Sequence, residues 1–210
     1  MTRTAIACAT VALLAIACHH GANGGAADAR PLASYATQRI VVVPTAHVRG
    51  TDSLGWLPQL SGPRGAARRL DSSIVVALNA RGLAPKWILP TQLVRTFERN
   101  RTYATDPYQL SVEQVRAPNF KAGDKYGEPL SSQLRTMIAL EEDVRYVLLP
   151  VDLRFERSGE GGRAIARFVL LDPRFAEARW VGELTGAPAQ TPALALDGVA
   201  DRLADLFVAP

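Results

Sequence analysis

The stretch from Val144 to Gly186, VRYVLLPVDLRFERSGEGGRAIARFVLLDPRFAEARWVGELTG, carries the strongest hairpin signal in the chain. Three runs rich in apolar residues are separated by two clusters of turn formers. The first run ends in alternation, with Val151, Leu153 and Phe155 against Asp152, Arg154 and Glu156. That is the period-two pattern of a strand with one buried face. RSGEGG from Arg157 is a turn, read as a loop of more than two residues, and RAIARFVLLDP from Arg163 is the returning strand. Asp172-Pro173 through Glu177 turns the chain again. In the third run, AEARWVGELTG, the alternation assigns Ala178, Trp180, Gly182 and Leu184 to one face. Glu177, Arg179 and Glu183 fall on the other. Three strands in series make an antiparallel meander.

Just before the meander, PLSSQLRTMIALEED from Pro129 is a helix with Leu130, Leu134, Met137, Ile138 and Leu140 near one face. After the meander, ALALDGVADRLADLFVA from Ala193 is an amphipathic helix whose buried stripe is Leu196, Val199, Leu203, Leu206 and Phe207. Far upstream, QRIVVVPTA from Gln38 places four apolar residues in a row, the mark of a strand buried on both faces. RGTDSLGWLPQLSGPRG from Arg49 reads as a loop. AARRLDSSIVVALNARGL from Ala66 has Leu70, Ile74, Ala77 and Leu78 at helical spacing, closed by Gly82 as a left-handed cap. KWILP from Lys86 is a short buried strand. TQLVRTFERN is a helix with Thr91 as its cap and Leu93, Val94 and Phe97 on its apolar face. Asp106-Pro107 opens a further helix carrying Leu110, Val112 and Val115. APNFKAGDKYGEP then reads as a loop. The expected class is α/β (α+β): a single mixed sheet ending in an antiparallel meander, with helices packed mainly on one side.

This layout resembles the small α/β domain shared by the TolB amino-terminal domain, the curli-secretion-channel lipoprotein and the penicillin-binding-protein activator lipoproteins. RIVVVP is similar to that group's opening strand, and LRTMIALEEDVRYVLLPVDLRF to its helix, acid turn and strand. ARFVLLDPRFAEARWVGELTG is similar to its strand-turn-strand, with Asp172 opening the turn and Trp180 on the strand after it. VADRLADLF is similar to its closing helix. The group's turn usually holds glycine where this chain has Phe175-Ala176. Two insertions, near Thr51 and Tyr103, depart from the pattern. The resemblance implies a mostly non-enzymatic envelope accessory protein that binds envelope proteins or forms assemblies, and it selects no partner.

The amino terminus fixes location more sharply than chemistry. Arg3 precedes an almost wholly apolar run, Ala5 to Ala17, which has the length of a signal-peptide core and is too short to span a membrane. Ala15-Ile16-Ala17-Cys18 resembles the lipobox of bacterial lipoproteins, with alanine where leucine is usual at Ala15. The resemblance implies cleavage before Cys18 and acylation of its thiol and amine. A plain secretory signal with an incidental cysteine is the alternative, and Cys8 has too little apolar sequence before it. His19, rather than aspartate, follows the cysteine, which by analogy with lipoprotein sorting favours the outer membrane. Residues 18–37 carry almost no apolar bulk and read as a flexible tether from lipidated Cys18, spanning roughly 25 Å. The organisation is then signal peptide 1–17, tether 18–37 and a single domain 38–210.

Composition narrows the function. The chain has 210 residues, 48% of them hydrophobic, and a formal charge of +4 that comes from arginine, lysine being confined to Lys86, Lys121 and Lys125. No dense basic stripe with interleaved aromatics appears, so nucleic acid is a poor partner. Cys8 and Cys18 are the only cysteines, so the mature domain has no disulfide. His19 and His20 have no third ligand nearby, and no metal or cofactor is expected. His47 is the one histidine outside the tether. Ser72-Ser73 and Ser131-Ser132 have no histidine beside them, Glu141-Glu142-Asp143 reads as a solvated helix end, and GEGG at Gly159 lacks the lysine and helix of a phosphate loop. No catalytic residues are assigned.

Two functions are carried forward. One is a lipid-anchored envelope protein, non-catalytic, acting by protein-protein contact or assembly, for which an oligomer is compatible. The other is an envelope hydrolase using paired carboxylates in a cleft. Candidate partner-binding residues are the aromatics of the two insertions, Trp56, Tyr103, Tyr108, Phe120 and Tyr126, since aromatics are enriched at hot spots. Arginines of the meander's outer face are the other set: Arg154, Arg163, Arg167 and Arg179, for which the favoured reading is cross-strand charge pairs that keep the sheet soluble, ahead of a binding site.

Overall fold

The computed structural model describes residues 30–209. Four strands form one mixed sheet in the order β1 (Ile40–Val42), β2 (Tyr146–Ser158), β3 (Gly161–Asp172) and β4 (Glu177–Thr185). β1 runs parallel to β2, and the last three strands are the antiparallel meander. KWILP contributes less than a strand: Ile88 alone bridges β1 in parallel, exchanging bonds of 2.8 Å with Val42 and 2.9 Å with Ile40. Pro85 lies in a 3-10 turn (Ala84–Lys86) and Pro90 starts a helix, which leaves no room for a longer ladder.

β1 is buried on both faces, as its unbroken apolar run requires. Ile40 and Val42 enter one apolar cluster, Val41 and Val43 the other. The first cluster lies under α1 (Trp56–Gln59), α2 (Gly62–Ala80) and α6 (Pro192–Asp205). These include the two longest helices among the described residues; α2 packs on α6, and α6 packs on the meander strands β3 and β4. The opposite face is not bare. Shorter helices α3 (Pro90–Arg99), α4 (Glu113–Arg116) and α5 (Leu130–Ala139) cover its β1 end, with Leu93, Val115, Leu130, Leu134 and Met137 buried. Among the described residues no helix is long and apolar enough to cross a membrane.

Several boundaries differ from the sequence reading. α2 starts at Gly62, not Ala66, because Pro63 occupies its first turn, where a missing N–H costs nothing. The supposed loop before it also holds α1. Thr91 does not cap α3: Pro90 holds the first helical position and Leu89 precedes it without a side-chain bond. Asp106-Pro107 makes a turn, its carboxylate accepting the Tyr108 N–H at 2.9 Å, and the helix after it is confined to α4. The β2–β3 loop has two residues, Gly159 and Glu160, since Ser158 pairs with Gly161. Gly159 takes φ 60, which a glycine adopts at no steric cost.

Two bulges reverse the face assignments inside the meander. One residue too many on β2 between Pro150 and Asp152 sends Val147, Leu149 and Val151 to the second cluster and Leu153 and Phe155 to the first. On β4, Leu170 pairs with Trp180 and Leu171 with Ala178, so Arg179 is extra. Ala178 therefore faces the second cluster while Trp180 and Leu184 pack on the first. One inserted residue is enough to exchange faces, because the side-chain period is two.

The fold also begins earlier than Gln38. Leu32 is fully buried and its N–H donates to Leu206 O at 3.2 Å, at the end of α6. Tyr35 closes a short 3-10 turn (Ala33–Tyr35) and meets Tyr146 edge-on, ring centres 5.0 Å apart. The segment ordered on the domain thus includes residues assigned to the tether. The signal run, Cys18 and the remainder of the tether lie outside the described residues.

Candidate functional site

The insertions are cover for the sheet more than exposed platforms. Trp56 is buried, its ring edge-on to Phe155 at 5.5 Å. Phe120 and Tyr126 are buried in the second cluster. These three candidate contact residues are core, because an aromatic in a glycine-rich segment stabilises most by burying its ring. Tyr103 and Tyr108 remain exposed.

The arginines of the outer face are engaged with the protein itself. Arg154 grips both oxygens of Glu183 on β4, at 2.7 and 2.8 Å, and also bonds Glu156 at 3.0 Å. Arg163 reaches the other Glu156 oxygen at 3.1 Å. Arg167 donates to the carbonyls of Phe120 and Ala117, at 2.7 and 3.1 Å, and so ties the segment after α4 to β3. Arg179 and Arg174 close on fully buried Asp172. Burial pushes that carboxyl up, but the bonds and charge of the two arginines outweigh it and hold it below the usual carboxylate range. Arg167 apart, these contacts form a network of charge pairs within and between the strands.

A different place collects polar groups that the fold leaves with spare capacity. β1 lies between Ile88 on one side and β2 on the other. The chain leaves β1 through α2 over one face and returns to β2 through α3–α5 over the other. The carboxyl end of β1 is therefore a point where the winding reverses, and such points open a crevice. Two adjoining clefts sit there, of about 480 and about 560 Å³, sharing Arg68 and Tyr108 as a common rim. The first is walled by Thr45 and His47 after β1 and by Arg64 on α2. The second is mostly apolar, between Val75 and Val76 of α2 and Pro90 and Val94 of α3.

Asp71 stands at the divide. Its residue is only 7% exposed, and Oδ1 accepts both the Thr45 N–H at 2.8 Å and the Thr45 hydroxyl at 2.6 Å. Oδ2 accepts nothing from the described residues. Burial pushes the carboxyl up and the two Thr45 bonds offset only part of it, leaving a pKa of about 6. Across the cleft, burial and then the charge of Arg116 hold His47 below its ordinary value. Arg64 and Arg68, one turn apart near the positive end of α2, form no ion pair among the described residues.

Neither Thr45 nor Asp71 nor the arginine pair was singled out from sequence. A signal existed. Asp71 falls beside Leu70 and three residues before Ile74, on the margin of an apolar helical stripe, where an acid is seldom buried without a reason.

No family model matches the chain, and no curated protein matches it. Among solved structures, it is similar to a point variant of the PelC dodecamer from Paraburkholderia phytofirmans, at 15% identity and a TM-score of 0.39, covering 82% of this chain and 91% of that one. A second PelC dodecamer from the same organism gives 17% identity and 0.36, covering 81% and 88%. The hypothetical protein CT253 from Chlamydia trachomatis gives 10% identity and 0.33, covering 82% and 99%.

Proposed function

We propose that the chain is a lipid-anchored bacterial envelope protein that works by contact with another protein. The observation that carries the reading is the apolar run Ala5–Ala17 ending in Ala15-Ile16-Ala17-Cys18. With the thiol acylated, a tether of about a dozen residues leads from Cys18 to Leu32, so the domain stays within reach of its membrane. The resemblance to the envelope lipoprotein group supports the same reading, as does a crevice that offers binding groups at the winding reversal. The hydrolase alternative requires two converging acids. Asp71 is the single carboxylate lining the paired clefts among the described residues, which favours binding over hydrolysis there.

Mass spectrometry of the mature protein tests the anchor: a diacylglyceryl-modified Cys18 as first residue is expected, and Cys18→Ala should leave the protein unlipidated and lost from the membrane fraction. An unmodified start downstream of Cys18 overturns it. Crosslinking of the lipidated protein in its native envelope tests the contact role, with one specific protein partner expected. Turnover of a cell-wall or phosphoester substrate that is lost on mutating Asp71 would replace the reading with the hydrolase.

A further inference from the structure

The paired clefts run along one stripe of α2. Arg64, Arg68, Asp71 and Val75 follow one another at three- and four-residue steps, on one side of the helix. From Arg64 to Val75 the stripe is about 16 Å long. Its chemistry changes in order along that length. Two guanidinium groups without an ion pair among the described residues come first, then a buried carboxylate with an unpartnered oxygen, then an apolar floor completed by Val76, Pro90 and Val94. Tyr108 stands over the junction, half exposed.

Each part selects something. The arginines ask for an anion. Asp71 Oδ2, held in a residue more than nine-tenths buried and facing the cleft, asks for an N–H or O–H donor. The floor of valines asks for an apolar group; Val76 is 66% exposed, the most exposed large apolar side chain among the described residues. A fatty anion would satisfy the ends and leave Asp71 facing hydrocarbon, which costs free energy. A free amino acid is too short for the stripe. An extended peptide advances about 3.3 Å per residue, so roughly four or five residues span it.

We propose that this stripe binds the carboxyl-terminal segment of a partner protein. The terminal carboxylate lies on Arg64 and Arg68, a backbone N–H of the peptide donates to Asp71 Oδ2, and an apolar side chain a few residues from the end rests on Val75, Val76 and Val94. Main-chain bonds then supply affinity, and the apolar contact with the free terminus supplies selection. The proposal rests on the protein-contact reading above, and its test does not depend on the lipid anchor.

The probe is a set of fluorescein-labelled hexapeptides, GGLAAA with a free carboxyl end and versions with leucine moved to each position, titrated by fluorescence polarisation against the full chain in lipid nanodiscs. Saturable binding is expected, tightest with leucine third or fourth from the end. Amidating the terminus, Arg68→Ala and Val76→Asp should each weaken it by about tenfold or more. Val76 is exposed, so its substitution leaves folding intact and serves if Arg68→Ala perturbs α2. Binding that is indifferent to amidation, a set that fails to saturate below about 1 mM, or dodecanoate binding more tightly than every peptide would each overturn the proposal. Peptide binding by the Cys18→Ala protein should equal that of the lipidated one, so a failed anchor and a failed cleft give different results.

Discussion

Thr45 gives both of its hydrogen-bond donors, backbone N–H and hydroxyl, to a single oxygen of Asp71, at 2.8 and 2.6 Å. The pair fastens the segment just after β1 to the middle of α2, and it leaves the other carboxylate oxygen to the cleft. The arrangement has a cost that titration exposes. The Asp71 carboxyl is raised from 3.8 to about 6 because burial disfavours its charge.

The contribution of Asp71 to stability should therefore fall as pH rises. Below 3.8 the group is neutral in both the folded and the unfolded chain and carries no penalty. Between 3.8 and about 6 the folded state binds the extra proton, so raising pH destabilises it, and above about 6 the loss is complete. A shift of this size corresponds to about 3 kcal/mol. Asp71→Asn keeps acceptors for Thr45 and removes the charge. Urea unfolding at pH 4 and pH 8 should show the variant gaining on the wild type at the higher pH. An equal difference at both values would mean that Asp71 does not titrate in this window.

Leu32 gives a second test, of where the fold begins. A fully buried leucine bonded through its N–H to the end of α6 belongs to the core. Leu32→Ala should cost about 2–5 kcal/mol in chemical unfolding. If the chain before Gln38 were only tether, the midpoint would not move.

The error at Leu32 has the same root as the others. A single leucine among Ala, Ser and Pro has no period, and only its place against α6 makes it core. The meander, the α6 stripe and the doubly buried β1 were legible because each writes a repeating pattern in its own residues. The bulges at Val151 and Arg179 were not. Every residue around them obeys the local alternation, and the extra one is defined only by the strand across from it. Pro63 misled for a related reason, since a proline reads as a breaker until the helix end beside it is known. The site was less legible still. Thr45 and Asp71 are 26 residues apart, and the spare capacity of Asp71 Oδ2 exists only once the fold has occupied Oδ1.

The charge network on the outer face yields a third expectation. Arg154 holds Glu183 with two bonds, and its side chain is only 18% exposed against 43% for its partner. Forked geometry and partial burial place such a pair at the upper end of surface ion pairs. A double-mutant cycle of Arg154→Ala and Glu183→Ala should give a coupling of about 1 kcal/mol. It should shrink in about 1 M salt. A coupling of zero at low salt would free Arg154 for an external partner.

Trp180 and Gly182 make the last test, and it is one of sign. The indole of Trp180 folds back over Gly182, so that a Cβ placed there would stand 2.1 Å from a ring carbon. Gly182 sits in extended backbone that any residue adopts, so its lack of a side chain serves the ring and not the chain path. Trp180 is half-buried, and Trp180→Ala should cost about 2 kcal/mol, less than the roughly 3–5 kcal/mol of a fully buried aromatic. Gly182→Ala in the wild type has to displace the indole and should cost about 1–3 kcal/mol. With the ring already gone the methyl has room, and alanine restricts the unfolded chain more than glycine does. In the Trp180→Ala background the same change should therefore be neutral or stabilising by up to about 1 kcal/mol. Thermal melts of the four proteins measure the cycle. Additive losses would mean that the indole does not rest on Gly182, and that the face assignment after the β4 bulge is wrong.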